Sequence, residues 1–298
     1  MGDNLPEVTI SIVIPCYNRW GFLPKVIGSI SSQTFENWEV IIVDDASENT
    51  KYTPEQNGKV KYVRLDKRQG SGHARNIGVV QSKGEFILFV DDDTLLSSTY
   101  LENLLQTYSK HQDAGAVGGR LIYVHEEKYF DPNHSIQPPV KLGRYSGEVL
   151  GGFDRKTLGT VEVPFLHVIS LIKREDFLSI GGFDETTYVG NRYREETDFF
   201  VRIRQTGKKL YFVPTALVYH YYIKSGGQRS GFLKTEYYVV LNHMKFLKKF
   251  YPSKCSRMLI CFVFRRFYDR TAQLFSKTSR ILRFRKWREI SESTGVEV

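Results

Sequence analysis

The 298-residue chain carries 42 Lys and Arg against 33 Asp and Glu, a formal net charge of +9, with 41% hydrophobic and 25% charged residues. That length fits one large α/β domain with an appendage and buries enough core to fold without disulfides or a structural metal. Three cysteines without CxxC spacing, Cys16, Cys255 and Cys261, exclude a disulfide framework and a zinc knuckle and suit a reducing, cytoplasmic compartment.

Residues 8–14 are short, β-branched and lack a basic flank, so they read as a first strand ended by Pro15 and not as a secretory leader. Residues 22–33 place apolar side chains at Phe22, Leu23, Val26, Ile27 and Ile30, a helical spacing. Residues 38–43 and 60–65 read as strands, 70–81 as a helix, and 86–90 as a strand running into Asp91-Asp92-Asp93. Ser97 or Ser98 would cap a further helix to about residue 108. This alternation predicts an α/β fold with a mostly parallel central sheet and helices on both faces. Ligands in such sheets sit beyond the carboxyl ends of the strands, and two of those ends are acidic, at Asp44-Asp45 and at Asp91 to Asp93. Residues 125–160 hold Pro132, Pro138, Pro139 and several glycines and read as a long loop. Strand character returns over 161–172, residues 195–205 are helical, and 209–213 form a strand ended by Pro214.

The positive charge is local. Residues 245–288 contain fourteen Lys and Arg and one acid, Asp269, which leaves 28 basic against 32 acidic residues elsewhere. The main domain is therefore not expected to bind nucleic acid. Phe246, Phe250, Phe262, Phe267, Phe275, Phe284 and Trp287 are spread through the cations of this tail. A basic helix with aromatics suits an anionic membrane surface; a charged helical hairpin packed on the domain has the same pattern. The apolar run 258–264 is well short of the ~20 residues a spanning helix needs, so the chain is expected to be soluble or peripheral at the cytoplasmic face of a membrane.

Three adjacent carboxylates are costly to hold together unless a cation sits among them, and Mg²⁺ or Mn²⁺ with substrate phosphates is the natural partner. On its own the triplet reads equally as a solvated acidic turn. Four segments surround it in order: Ile12-Val-Ile-Pro-Cys-Tyr-Asn-Arg19, Val43-Asp-Asp-Ala-Ser47, Gly70-Ser-Gly-His-Ala-Arg-Asn-Ile-Gly78 and Phe89-Val-Asp-Asp-Asp93. Gly181-Gly-Phe-Asp-Glu185, Arg194-Glu-Glu-Thr-Asp-Phe199 and Pro214-Thr-Ala-Leu-Val-Tyr-His220 follow. Together they resemble glycosyltransferase family 2, the inverting enzymes of GT-A fold, over residues 8–221.

The resemblance implies a domain at 1–230, with 8–120 as its nucleotide-binding half and 121–230 as its acceptor half, followed by a basic helical tail at 231–298. It implies that Pro15, Tyr17, Asn18 and Arg19 line the nucleoside pocket, with Tyr17 stacking on the base and Asp45 accepting from a uracil-type N3–H. Arg75 would approach the nucleotide or its diphosphate, or else form a structural ion pair with Asp44 or Asp45. Asp93 would bind Mn²⁺ or Mg²⁺ with His220, while Asp91 and Asp92 hold ribose or water in the metal shell. Glu196 stands where the family has an Asp base, one methylene longer, which leaves Glu195 as the alternative base. Asp198 would pair locally with Arg202 at i+4. The Gly181-Gly182 turn would lie near the acceptor site, and the segment 226–231 would close over the diphosphate with Arg229 as counter-charge. The implied partners are a nucleotide-diphosphate sugar and a glycan or lipid-linked acceptor.

Two other enzyme classes lack their signatures. A sugar-nucleotide pyrophosphorylase carries a Gly-rich basic loop after the first strand, where this chain has Cys16-Tyr-Asn-Arg19, and a dinucleotide-dependent oxidoreductase needs GxGxxG between first strand and first helix, which this chain lacks. A non-catalytic glycan- or lipid-binding module with a degenerate site remains the alternative.

Overall fold

A computed structural model describes residues 9–48, 58–125, 128–130, 139–223 and 231–271. The chain begins with β1 (Ile10–Cys16), α1 (Leu23–Ser31), β2 (Trp38–Asp44), β3 (Val60–Arg64), α2 (Ser71–Val80) and β4 (Phe86–Phe89). Next come β5 (Thr94–Leu96), α3 (Tyr100–Lys110), β6 (Ala114–His125), β7 (Lys128–Phe130), β8 (Val140–Leu142), β9 (Val149–Gly151) and β10 (Val161–Val163). There follow β11 (Ser170–Lys173), α4 (Arg174–Ser179), α5 (Glu195–Gln205), β12 (Lys209–Tyr221) and α6 (Phe232–Phe250).

The central sheet runs β10-β12-β6-β11-β4-β1-β2-β3. Its β4-β1-β2-β3 half is parallel, as is the β6–β12 pair, and β11 joins these two parts as the antiparallel strand between β4 and β6. Every residue of β1 is buried, as a strand covered on both faces requires. Helix α2 lies so close on β1 that a Cβ at Gly78 would come 2.2 Å from Val13 Cγ1.

Two compact units divide the chain. One comprises residues 1–142 and 149–246 and holds the sheet; the other comprises 143–148 and 247–298. In the second unit residues 255–271 are helical. Cys255, Met258 and Phe262 are buried there, whereas Ile260, Val263, Phe264, Phe267 and Tyr268 are exposed. Phe246 and Phe262, expected among the aromatics of a membrane face, are fully buried and point inward. Phe275, Phe284 and Trp287 lie outside the described residues, as does most of the segment 226–231 with Arg229. Among the described residues no helix is long and apolar enough to cross a membrane.

Four expectations need correction. Pro214 does not end a strand: β12 continues to Tyr221, and the chain absorbs the missing N–H in a register shift between Val213 and Leu217. Neither Ser97 nor Ser98 caps α3, whose N-cap is Thr99 without a side-chain bond; Ser97 Oγ instead accepts from the Leu217 amide. Residues 125–160 are not all loop, since β8 and β9 form an antiparallel pair there. The expected strand over 161–172 is two short ones, β10 and β11, separated by residues 164–169.

Candidate active site

The carboxyl ends of β1, β2 and β4 open on one cavity of about 460 Å³. Pro15, Tyr17, Arg19, Asp45, Arg75, Asp91, Asp92, Asp93, Glu195, Glu196 and His220 all line it. Asn18, expected beside them, is not in the lining. It adopts φ +55° and ties the end of β1 to the end of β2, its amide donating to Ser47 Oγ (3.0 Å) and its side-chain oxygen accepting from the Glu48 amide (3.0 Å).

Each carboxylate of the triplet has its own partners. Asp91 Oδ1 accepts from Arg75 Nη2 at 2.8 Å. Asp92 turns toward the β1 end, accepting from Arg19 Nη1 at 2.8 Å and from the Tyr17 amide at 3.4 Å. Burial pushes the Asp92 carboxyl up to about 6, with Asp93 and Asp91 adding to the rise and Arg19 opposing it. Asp93 meets the same Arg19 guanidinium and stands 3.3 Å from His220 Nε2. Burial also works to raise Asp93, but the hydrogen bond and charge of His220, helped by Arg19, leave it below the ordinary carboxylate value. His220 shows the counterpart: burial lowers it, and the bond and charge of Asp93 more than reverse that. The backbone makes this meeting, because β5 pairs antiparallel with the end of β12 in the register His220↔Thr94 and so sets His220 beside Asp93.

Asp45 spends both oxygens on the start of α2, accepting from the amides of Gln69 (2.7 Å) and Gly70 (2.8 Å). Any contact to a base must use its remaining lone pairs. Arg68 lies over the Tyr17 ring, 3.9 Å from its centroid. Asp44, fully buried, is satisfied by Ser47, Tyr62 and Arg64. Arg75 therefore does not pair with it. Arg75 is 4% exposed and bridges Asp91 to Glu196, whose Oε1 is 3.6 Å away.

Glu195 and Glu196 open α5, where the unpaired amides of a helix N-terminus favour carboxylates. Their environments differ. The Glu195 side chain is 3% exposed, lies against Gly72 and meets Arg192 Nη1 at 3.5 Å. Burial pushes it up to about 7, with Arg75 and Arg192 pulling down and Glu196 pushing up. The Glu196 side chain is 42% exposed, toward the cavity. It too is raised, by the desolvating walls of the site and by Asp91, against the pull of Arg75. Asp198 is buried and accepts from Tyr188 and from Arg202 at 2.6 Å, the expected i+4 pair.

Gly181 and Gly182 both have positive φ and form a tight turn. The turn docks on α2, where Asn76 bonds both backbone groups of Phe183 and where His73 and Asn76 hold Glu185. It does not line the cavity. Sequence reasoning gave no role to Arg68, to Asn191-Arg192-Tyr193, or to Ser71 and Arg194 within their motifs, all of which do. Two arginines directly before a pair of glutamates were the available signal. Among the described residues no group of three His, Cys, Asp or Glu side chains is placed so as to hold a metal ion, and Asp93 and His220 stand as a pair.

A family model described as Glycosyl transferase family 2 matches residues 11–181, more than half of the chain. The chain belongs to glycosyltransferase family 2. An uncharacterised glycosyltransferase of Haemophilus influenzae is 30% identical over 200 residues, which are 66% of this chain and 62% of that one. A glucosyl-dolichyl phosphate glucuronosyltransferase of Haloferax volcanii is 28% identical, covering 71% of this chain and 68% of its own. Among solved structures, GalNAc-T7 crystallised with UDP, GalNAc and Mn²⁺ superposes with a TM-score of 0.64 at 23% identity, over 83% of this chain and 48% of that one. At that identity the likeness shows the fold, which is GT-A type with C-terminal helices added. This chain spans less than two thirds of the Haemophilus relative's own length. The matched family span stops before Glu195, Glu196 and His220.

Proposed function

We propose that residues 1–230 form an inverting, metal-dependent glycosyltransferase domain that moves a sugar from a nucleotide-diphosphate donor to a hydroxyl of a lipid-linked glycan, and that residues 231–298 are its basic appendage. The observation that carries this reading is Arg75. One buried guanidinium touches Asp91 on the donor side and Glu196 at the head of α5, so the donor-binding strand ends and the base candidate share one cavity.

Glu196 is the base: its carboxylate faces the cavity and takes the proton of the attacking hydroxyl, and Arg75 beside it opposes the rise that the desolvation of the site imposes. Glu195, buried behind it, holds the Arg75 and Arg192 side of the pocket. Tyr17 and Asp45 receive the base of the nucleotide, Pro15 and Arg19 line its pocket, and Asp91 and Asp92 hold the ribose side. Asp93, already paired with the cation of Arg19, offers a hard oxygen and His220 Nε2 an imidazole nitrogen. That donor pair would suit Mn²⁺ better than Mg²⁺. Held by Asp93 and His220, the ion would supply positive charge to the departing diphosphate.

The acceptor class is supported by the Haloferax relative, named for a dolichyl-phosphate-linked sugar. It is also supported by the exposed stripe Ile260, Val263, Phe264, Phe267 and Tyr268 in a segment that carries Arg257, Arg265, Arg266 and Arg270. This is the composition of a helix that lies on an anionic membrane. The test is a panel of nucleotide sugars with Mn²⁺, Mg²⁺ or chelator, scored for nucleoside diphosphate release with and without an undecaprenyl- or dolichyl-linked sugar. Donor-selective, metal-dependent release that Glu196→Gln abolishes is the expected result; no release from any donor by folded protein overturns the reading and favours the binding-module alternative.

A further inference from the structure

The segment that delivers Glu195 and Glu196 is conformationally expensive. Within it Gly190, Arg192 and Arg194 have φ of +63°, +53° and +80°. Two of these are non-glycine residues, and such conformations persist only where the surroundings over-determine them. Arg194 is also the N-cap of α5, so its left-handed turn aims the glutamate pair.

What over-determines this segment is α6, some fifty residues downstream. Asn242, fully buried, bonds both backbone groups of Val189: its Oδ1 accepts from the amide at 3.1 Å and its Nδ2 donates to the carbonyl at 2.8 Å. The same Nδ2 reaches Asn191 Oδ1 at 3.3 Å, and that oxygen in turn accepts from the Tyr193 amide. His243, also fully buried, accepts from Arg194 Nε through Nδ1 at 3.1 Å. The Arg194 guanidinium lies over the rings of Tyr193 and Phe246, each 5.0 Å away. Lys245 Nζ donates to the Thr187 carbonyl at 2.7 Å. Tyr238 packs where a Cβ of Gly190 would be.

We propose that α6 is a positioning element of the transfer reaction, with Asn242 and His243 as positioning residues that hold the 187–194 segment in the one conformation that presents Glu195 and Glu196 to the cavity. A polar side chain that bonds both an amide and a carbonyl of one distant residue fixes backbone, not merely packing, and here the backbone fixed is the one before the base. The proposal rests on the reading of Glu196 as the base.

The experiment has two arms on the full chain. Hydrogen–deuterium exchange of the substrate-free protein tests the clamp: in Asn242→Ala, amides of residues 189–196 should exchange at least tenfold faster, with β1 and β4 unchanged. Exchange equal to wild type, or faster by the same factor everywhere, overturns it. Steady-state kinetics tests the consequence, using whichever nucleotide sugar the wild type turns over. In both Asn242→Ala and His243→Leu, kcat should fall by roughly tenfold to a hundredfold, as a misplacement of an ångström or less produces, with donor KM within about threefold of wild type. His243→Asn, whose amide oxygen stands where Nδ1 does, should recover most of kcat. An unchanged kcat in either variant, a loss confined to KM, or a His243→Asn as impaired as His243→Leu overturns the positioning role. If Glu196→Gln keeps full activity, the catalytic reading has failed, and the exchange arm still decides whether α6 holds the segment.

Discussion

Gly72 sits in the first turn of α2 with the Glu195 carboxylate against its Cα. A Cβ at this position would meet Oε1 at 2.3 Å, Cδ at 2.7 Å and Oε2 at 3.0 Å, whereas ordinary contact begins at 3.4 Å. Gly72→Ala must therefore drive the carboxylate back by about 1 Å. The obstacle is the far end of a flexible side chain, so overpacking costs about 1 kcal/mol, at the low end of its range. Replacing a glycine inside a helix returns roughly 0.5–1 kcal/mol. The two effects nearly cancel, and the thermal midpoint should stay within about 3 °C of wild type. The reaction is less tolerant, because Glu195 opens α5 directly before the base candidate Glu196 and lines the same cavity. Misplacement on this scale costs up to roughly 10²-fold, so kcat for nucleoside diphosphate release should drop by about tenfold to a hundredfold. Differential scanning fluorimetry and steady-state kinetics on the same samples separate the two effects. A variant with wild-type midpoint and wild-type kcat would refute the claim that the seat of Glu195 against α2 matters to catalysis.

Three further outcomes are expected. Burial holds Glu195 near 7 in the folded protein against an ordinary 4.5. Its stabilising contribution is thus complete below about pH 4.5 and lost as pH rises through about 7, a difference of about 3 kcal/mol. Urea midpoints should fall from pH 5 to 8 and do so less steeply in Glu195→Gln; parallel profiles would show the group titrating normally. Asp93→Ala should abolish Mn²⁺-dependent release and the Mn²⁺-induced thermal shift seen with nucleoside diphosphate, whereas Glu196→Gln should lose about 10²-fold or more in kcat while keeping that shift; a shift retained by Asp93→Ala speaks against the metal assignment. Replacing Phe264 and Phe267 with Glu should lower sedimentation with phosphatidylserine vesicles at least tenfold, since burying each phenyl contributes about 1.5–3 kcal/mol. Equal sedimentation would remove the membrane surface.

The nucleotide-binding half was legible because its elements are written locally. β1 and β2 are near-continuous β-branched runs, and α2 announces itself by apolar spacing between Gly70 and Gln81. β6 was not legible, because Gly115, Gly118 and Gly119 interrupt it. The structure gives their reason in tertiary contact, not turn geometry: a Cβ on Gly119 would strike the Ala216 carbonyl at 2.2 Å, and one on Gly118 would strike Ser170 Oγ at 2.4 Å. The carboxylates and His220 could be picked out by chemical type, and all of them meet at one cavity. Asn191 to Arg194 could not, since their conformation is dictated by Asn242 and His243, and no local pattern in 187–194 names a partner so far along the chain. The exposed stripe at 260–268 was hidden for a related reason: its periodicity overlaps a second, buried set at Cys255, Met258 and Phe262.

The irregularity in β12 has one more consequence. Between Val213 and Leu217 the strand gains residues on its partner β6, so that Val213 faces Gly119 and Leu217 faces Arg120. Side chains of a strand alternate between its two faces, and a slip of one position would exchange every residue beyond the slip from one face to the other. The Pro-Thr-Ala insertion at 214–216 thus works as a spacer gauge, counting out the chain so that an imidazole and not Tyr219 or Tyr221 arrives opposite Thr94. Deleting a single residue of that spacer would leave most of the sheet's apolar content in place and bring a phenol to Asp93.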